Sequence, residues 1–278
     1  MIAAVRPVAK FDHRDSGTSE EEWVSSGLIE HVRKLDVSGL RRLLVVAAHP
    51  DDESLGAGGL MAMSAGLGVE VAVLICSAGE ASHPRSRTHS PDRLASMRRA
   101  EASAAVASLA PTGQVEVLDL PDGRLAAVMD VLAAEILRRT GCGGRGTWLV
   151  VPWRDDNHPD HAAVSAAAQR VAGSTGCRLL EYPIWAWHWA RPGDGVLESE
   201  NLVAVELSEV ELRAKRRALS MYHTQVEPLS DLVGDEAVVP PGFRRHFWRY
   251  REVFVDAAVP APARAGWPEP AAVDRRRR

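Results

Sequence analysis

Cysteine is scarce in this chain: Cys76, Cys142 and Cys177 are the three in 278 residues, odd in number and far apart. That excludes a small domain stapled by disulfides and reads as reduced core thiols in a cytoplasmic protein. An excess of charge of one sign is lacking too. With 33 basic and 37 acidic residues the formal charge is −4, which argues against nucleic acid or an anionic membrane as partner. A secretory leader is not expected, since residues 1–10 are short and interrupted by Arg6 and Pro7. Nor is a membrane span. The almost uncharged stretch 59–79 carries Gly66, Gly68 and Glu70 at its centre, which suits a helix end followed by a strand. Internal repeats are absent.

What is present is an ordinary globular composition, 46% hydrophobic and 25% charged, in a length that supports a sizeable core. Residues 1–17 show no apolar periodicity and are expected to be flexible. Thr18 or Ser19 followed by Glu20, Glu21 and Glu22 reads as the capped start of a helix over 20–35. Apolar runs at 43–48, 69–76, 115–120, 147–151 and 178–182 predict strands, separated by helical segments at 55–65, 91–109, 125–139 and 159–172. Strand–helix alternation with strands apolar throughout predicts an α/β protein whose sheet is predominantly parallel, with helices on both faces. Beyond 182 the spacing of Trp185, Trp187 and Trp189 predicts a strand with three indoles on one face. A helix over 208–222 and a late strand over 247–255 follow. The expected organisation is one α/β domain over 18–258, its part from about 183 shaping the pocket, and a disordered tail over 259–278 rich in Pro, Ala and Arg.

Two segments carry chemistry. The first, His49-Pro50-Asp51-Asp52-Glu53, follows the strand at 43–48 and places three carboxylates and an imidazole together. Such carboxylates repel unless a positive charge sits among them. A cation and a polar, helix-capping loop are the two readings. The second, Asp155-Asp156-Asn157-His158-Pro159-Asp160-His161, follows the strand at 147–151 and opens a helix, with Pro159 suited to its first turn. His158 and His161 are three apart, so both rings can face one side. In open parallel sheets, sites form beyond the carboxyl ends of strands, where both segments lie. Catalytic zinc takes three N/O ligands and leaves a fourth position for water. Two imidazoles and a carboxylate supply that set, with a carboxylate to spare as base and an imidazole as electrophile.

The paired motifs His49-Pro50-Asp51-Asp52-Glu53 and His158-Pro159-Asp160-His161 resemble those of the LmbE-like, or PIG-L, zinc-dependent N-deacetylases, over roughly residues 43–225. The resemblance implies a Rossmann-like fold and removal of an acyl group from an N-acetylglucosamine-type amine. It implies His49, Asp52 and His161 as metal ligands, Asp51 as general base, and His158 as the imidazole that stabilises the oxyanion or protonates the leaving amine. Glu80, Arg98, Asp122 and His223 match positions where the family contacts substrate. Glu101 completes an Arg-x-x-Glu helix with Arg98. Lys215, Leu219, His223 and Gln225 match a Lys-x3-Leu-x3-His-x-Gln pattern. Asp156 stands where some mycothiol-type members carry a tyrosine, so no tyrosine from this loop assists.

Zinc is the implied cofactor, with ferrous iron as the alternative for a His/His/Asp site. A small-molecule amino-sugar conjugate is the implied partner. A larger thiol–sugar amide or glycosylated natural product is the enzymatic rival, a glycan-binding pseudoenzyme the non-catalytic one. Glu53 reads either as a partner orienting a ligand imidazole or as a first-turn helix acid. Asp156 reads as orienting a histidine or as a helix cap. The tryptophan stripe reads as a packing face or as a platform for a sugar or hydrophobic aglycone. The loop 82–90 is an ordinary solvated loop or a lid.

Overall fold

A computed structural model describes residues 12, 14–141, 143–198 and 200–257. The expected tail at 259–278 lies outside the described residues, as do Cys142 and most of the leading 1–17 segment. The chain opens with α1 (Glu20–Ser26), α2 (Leu28–His31) and β1 (Arg33–Lys34). The first half of the site scaffold is β2 (Arg42–Ala47), α3 (Asp52–Gly66), β3 (Glu70–Ile75), α4 (Pro91–Leu109) and β4 (Gln114–Val117). Then come α5 (Met129–Thr140), β5 (Thr147–Pro152), α6 (Pro159–Thr175), β6 (Arg178–Tyr182) and α7 (Ala186–Trp189). The described chain closes with β7 (Leu202–Glu206), α8 (Glu209–Leu219), α9 (His223–Val226), α10 (Pro241–Arg244) and β8 (Arg251–Ala257).

The strands form one eight-stranded sheet in the order β1-β7-β8-β6-β5-β2-β3-β4. Every pairing is parallel except those of β8, which runs antiparallel to both β6 and β7. This is the expected α/β, Rossmann-like arrangement. Alternation along β2 explains the two cores: Leu43, Val45 and Ala47 face one apolar cluster, Leu44, Val46 and Ala48 the other. Among the described residues no helix is long and apolar enough to cross a membrane.

The late strand expected over 247–255 is β8, Arg251–Ala257, with residues 245–247 in a 3-10 turn, and three other elements depart further from the expectation. The helix expected over 20–35 breaks at Gly27, which adopts the left-handed conformation at φ 69 and caps α1. The segment expected over 125–139 starts as a 3-10 turn, Leu125–Val128, before α5. The tryptophan segment is no strand. Residues 186–189 form α7, because backbone N–H groups of Ile184, Trp185 and Ala186 donate to the carboxylate of Asp156 at 2.8–3.0 Å. A side chain distant in sequence supplies the cap that turns period-two indoles into a helical turn.

Helix α3 crosses the sheet closely. A Cβ on Gly56 would lie 2.0 Å from Cδ2 of Tyr182, whose buried hydroxyl donates to the Val46 carbonyl at 2.9 Å. Alanine improves helix propensity by about 1 kcal/mol, but overpacking a rigid ring costs about 1–3 kcal/mol. Gly56→Ala is therefore expected to lower unfolding free energy, read from urea titration; equal or greater stability would contradict this packing.

Candidate active site

Parallel strands β2, β3, β4, β5 and β6 present their carboxyl ends at one edge, and the loops leaving them meet there. His49 leaves β2. Its backbone N–H and that of Ala48 donate to Oδ2 of Asp52 at 2.9 and 3.1 Å. The imidazole stands between two sets of acids. Its Nδ1 is 3.4 Å from Asp52 Oδ2, while its Nε2 lies 3.1 Å from Asp122 Oδ1 and 3.2 Å from Asp160 Oδ2. Asp160 is itself fixed, accepting the N–H groups of Gly123 and Leu125 at 2.8 and 3.0 Å. His161 leaves β5 on α6, fully buried. Its Nδ1 is 2.7 Å from Asp156 Oδ2, and its Nε2 faces Asp52 Oδ1 at 3.4 Å with no hydrogen-bond partner.

One ligand atom from each of His49, Asp52 and His161 lies within 4.8 Å of the others. His49, Asp122 and Asp160 meet the same test, but there backbone N–H groups engage both oxygens of Asp160 and Ala81 N–H engages Asp122 at 2.8 Å, whereas the backbone donors to Asp52 take only its Oδ2. The first set fits a divalent ion better. It offers a buried imidazole nitrogen without a partner, and both of its rings are oriented from behind by carboxylates, the usual support of a metal ligand. The electrostatics agree. Burial opposes the imidazolium of His49, yet bonds to Asp122, Asp160 and Asp52 raise it well above the ordinary value. Burial also opposes protonated His161, but Asp52 and Asp156 raise it to about 9. Burial opposes ionised Asp52, but His161 and His49 hold it well below the carboxylate range. The cluster favours positive charge among its carboxylates, consistent with a divalent metal site.

Asp51 lies beside Asp52 but differs in setting. Its φ of 122° falls where residues other than glycine are rarely found. Burial pushes its carboxyl up to about 8; Arg98 opposes this, while Asp52 and Glu53 add to it. Arg98 is buried, donates to the carbonyls of Gly79 and Pro50 at 2.9 and 2.6 Å, and lies 3.6 Å from Asp51 Oδ1. His158 caps α6, its Nδ1 accepting from the Asp160 N–H at 3.2 Å. Its ring stacks on that of His161 with centroids 4.6 Å apart. Burial, then the charges of His161 and His49, push it down to about 3. With Nδ1 accepting, its proton sits on Nε2.

These groups open into a cavity of about 350 Å³. Its polar part includes His49, Asp51, Asp52, Arg98, Asp122 and His158; its apolar part includes Leu55, Ile184, Trp185, Val238 and Val239. Of the three indoles only Trp185 lines it, stacked on Phe243 at 4.8 Å between centroids. Trp187 packs edge-on against Trp23, and Trp189 donates to the Asp156 carbonyl at 3.2 Å. Two of the expected substrate contacts do not line the cavity. Glu80 instead accepts the Asp122 N–H at 3.0 Å, joining the loops after β3 and β4. His223 is exposed and 3.6 Å from Glu227, whereas Gln225 of the same motif does line the cavity. Glu101 accepts from Thr224, and Lys215 is buried against Glu252 at 2.6 Å. Asp156 fills both roles open to it, orienting His161 and capping α7. Glu53 touches no imidazole. It is a first-turn residue of α3 that accepts the Asp51 N–H at 3.1 Å and the hydroxyl of Tyr222. Nothing in the sequence pattern marks Tyr222 or the hold of Asp160 on His49, because both contacts close over more than a hundred residues.

Residues 44–172 match the PIG-L family, GlcNAc-PI de-N-acetylase. The chain is 30% identical over 248 residues to the 1D-myo-inositol 2-acetamido-2-deoxy-alpha-D-glucopyranoside deacetylase of Actinosynnema mirum, covering 69% of this chain and 83% of that protein. To the protein of the same name from Tsukamurella paurometabola it is 30% identical over 146 residues, 50% of this chain and 42% of that one. In structure it resembles a conserved protein of Thermus thermophilus, with a TM-score of 0.54 and 24% identity, covering 84% of this chain and 100% of the other.

Proposed function

The chain belongs to the PIG-L, or LmbE-like, deacetylase family, and from that premise we propose that it is a metal-dependent hydrolase removing the N-acyl, most simply N-acetyl, group of an N-acetylglucosamine-type conjugate. The observation that carries the reading is the set formed by half-buried His49 and buried Asp52 and His161, with an unpartnered imidazole nitrogen in it and Asp51 and His158 opening into the same cavity. In this reading His49, Asp52 and His161 hold Zn²⁺, with Fe²⁺ as the alternative. Once bound, the ion acidifies water in the cleft and polarises the acyl oxygen.

The remaining work falls to the chain's own groups. Asp51 accepts the proton of the attacking water as its oxygen adds to the acyl carbon. Its buried setting, with the acids Asp52 and Glu53 following it in the chain, favours taking that proton up. His158 donates its Nε2–H to the oxygen that becomes anionic. It does so as a neutral ring rather than as an imidazolium, because the Asp160 N–H occupies Nδ1. A donor in that position is worth about 10²–10³-fold in turnover. Asp51 then returns the proton to the amine nitrogen as the C–N bond breaks, releasing carboxylate and free amine. Asp122 and Arg98 border the polar side, where a sugar would lie.

A larger amide has one observation in its favour: the apolar side, with Trp185 held flat against Phe243, exceeds what an acetyl methyl needs. Amine release, followed with fluorescamine over glucosaminides with N-acetyl, N-butyryl and N-octanoyl groups, tests the function. Release from at least one is expected. Glycan binding without release from any would favour the pseudoenzyme.

A further inference from the structure

Glu53 is the acid of the first motif that neither the metal set nor an imidazole claims. Its side chain is fully buried. Oε1 accepts the Ser54 hydroxyl at 2.6 Å and the Tyr222 hydroxyl, and Oε2 accepts the Asp51 N–H at 3.1 Å. Tyr222, also fully buried, sits between α8 and α9, 169 residues along the chain. These bonds converge on one backbone unit. Asp51, at φ 122° and ψ −30°, lies outside the regions open to most residues, and such a conformation persists only where its surroundings over-determine it. The surroundings here are few: Glu53 on its N–H, the Ser54 and Leu55 N–H groups on its carbonyl at 3.0 and 2.8 Å, and Arg98 on the Pro50 carbonyl.

Tyr222 also reaches the cavity wall through its own backbone. Its carbonyl accepts the Gln225 N–H at 2.8 Å, and the Gln225 carbonyl accepts the Val239 N–H at 2.9 Å. Gln225 and Val239 both line the cleft. We propose that Tyr222 is a positioning residue, which through Glu53 holds the backbone of Asp51 so that its carboxylate is aimed at the reacting centre. The inference rests on Asp51 being the base, as proposed above. It assigns to Glu53 the task of presenting an acceptor rather than of binding metal.

Tyr222→Phe removes one hydroxyl and keeps the ring. Expected are unchanged metal stoichiometry by elemental analysis, KM within about twofold, and kcat lower by about tenfold, since small displacements of a reacting group are costly in rate. Glu53→Gln is the conservative variant. Its amide oxygen can accept from Asp51 while its NH₂ meets the Tyr222 oxygen, so kcat should stay within about threefold of wild type. A Tyr222→Phe enzyme with wild-type kcat overturns the proposal. So does one that loses metal in step with kcat, since the hydroxyl would then brace the metal cluster. Asp51→Asn, assayed alongside, separates the two levels: if that variant is active, the role of Asp51 fails first. Should Tyr222→Phe not fold, Glu53→Met, which keeps the length but offers no oxygen acceptor, decides: about a tenfold loss of kcat with metal and KM intact is expected, and wild-type kcat overturns the proposal.

Discussion

Asp51→Asn is expected to bind a divalent ion with wild-type stoichiometry while losing about 10²–10⁴-fold in kcat, the range of a removed general base. The prediction separates two carboxylates that are neighbours in the chain. Asp52 points into the imidazole pair, 3.4 Å from both His49 Nδ1 and His161 Nε2. Asp51 is turned away by its positive φ toward Arg98 and the cavity. An amide at 51 keeps the shape and the charge of Asp52 but cannot take a proton from water. Elemental analysis beside steady-state turnover checks it. Loss of metal in this variant would mean that the two acids have exchanged roles.

His161→Ala is expected to lose metal and turnover together, down to background. Its Nε2 is a buried imidazole nitrogen without a hydrogen-bond partner, and the neighbouring ring of His158 cannot take its place, since it spends Nδ1 on the Asp160 N–H. The substitution also strips Asp156 and Asp52 of the ring that both face, leaving buried carboxylates short of a partner, an arrangement that costs about 1–3 kcal/mol or more. Metal affinity by titration with a chromophoric chelator reads the effect. Retention of tight binding by His161→Ala would remove His161 from the ligand set.

Much of this was legible in the chain. The runs behind β2, β3, β5 and β6 are buried on both faces and so carry a continuous apolar signal. Helix α4 (Pro91–Leu109) begins and ends where the helical segment is expected, at 91–109. The two motifs fall at the ends of adjacent strands, β2 and β5, because strand ends are where an open sheet leaves room for a ligand. What was not legible closes over long sequence distances. The indoles at 185, 187 and 189 are spaced for a strand, and only the carboxylate of Asp156 makes a helical turn of them. Glu80 and His223 matched motif positions, yet a clamp on Asp122 and an exposed pairing with Glu227 take them out of the cavity lining. Glu53 could not be assigned from its neighbours, since the partner that explains it, Tyr222, sits beyond α8. Spacing along the chain reports which residues can share a face; it carries no information on which distant backbone will meet a given carboxylate.

The central claim is that His49, Asp52 and His161 hold the ion on which hydrolysis depends. The most direct measurement is amine release by the purified protein before chelation, after removal of metal, and after return of Zn²⁺ at one equivalent per chain. Loss of release on chelation and its recovery at about one equivalent, absent in His161→Ala, is the predicted result. Release that continues undiminished in metal-free protein would contradict the account.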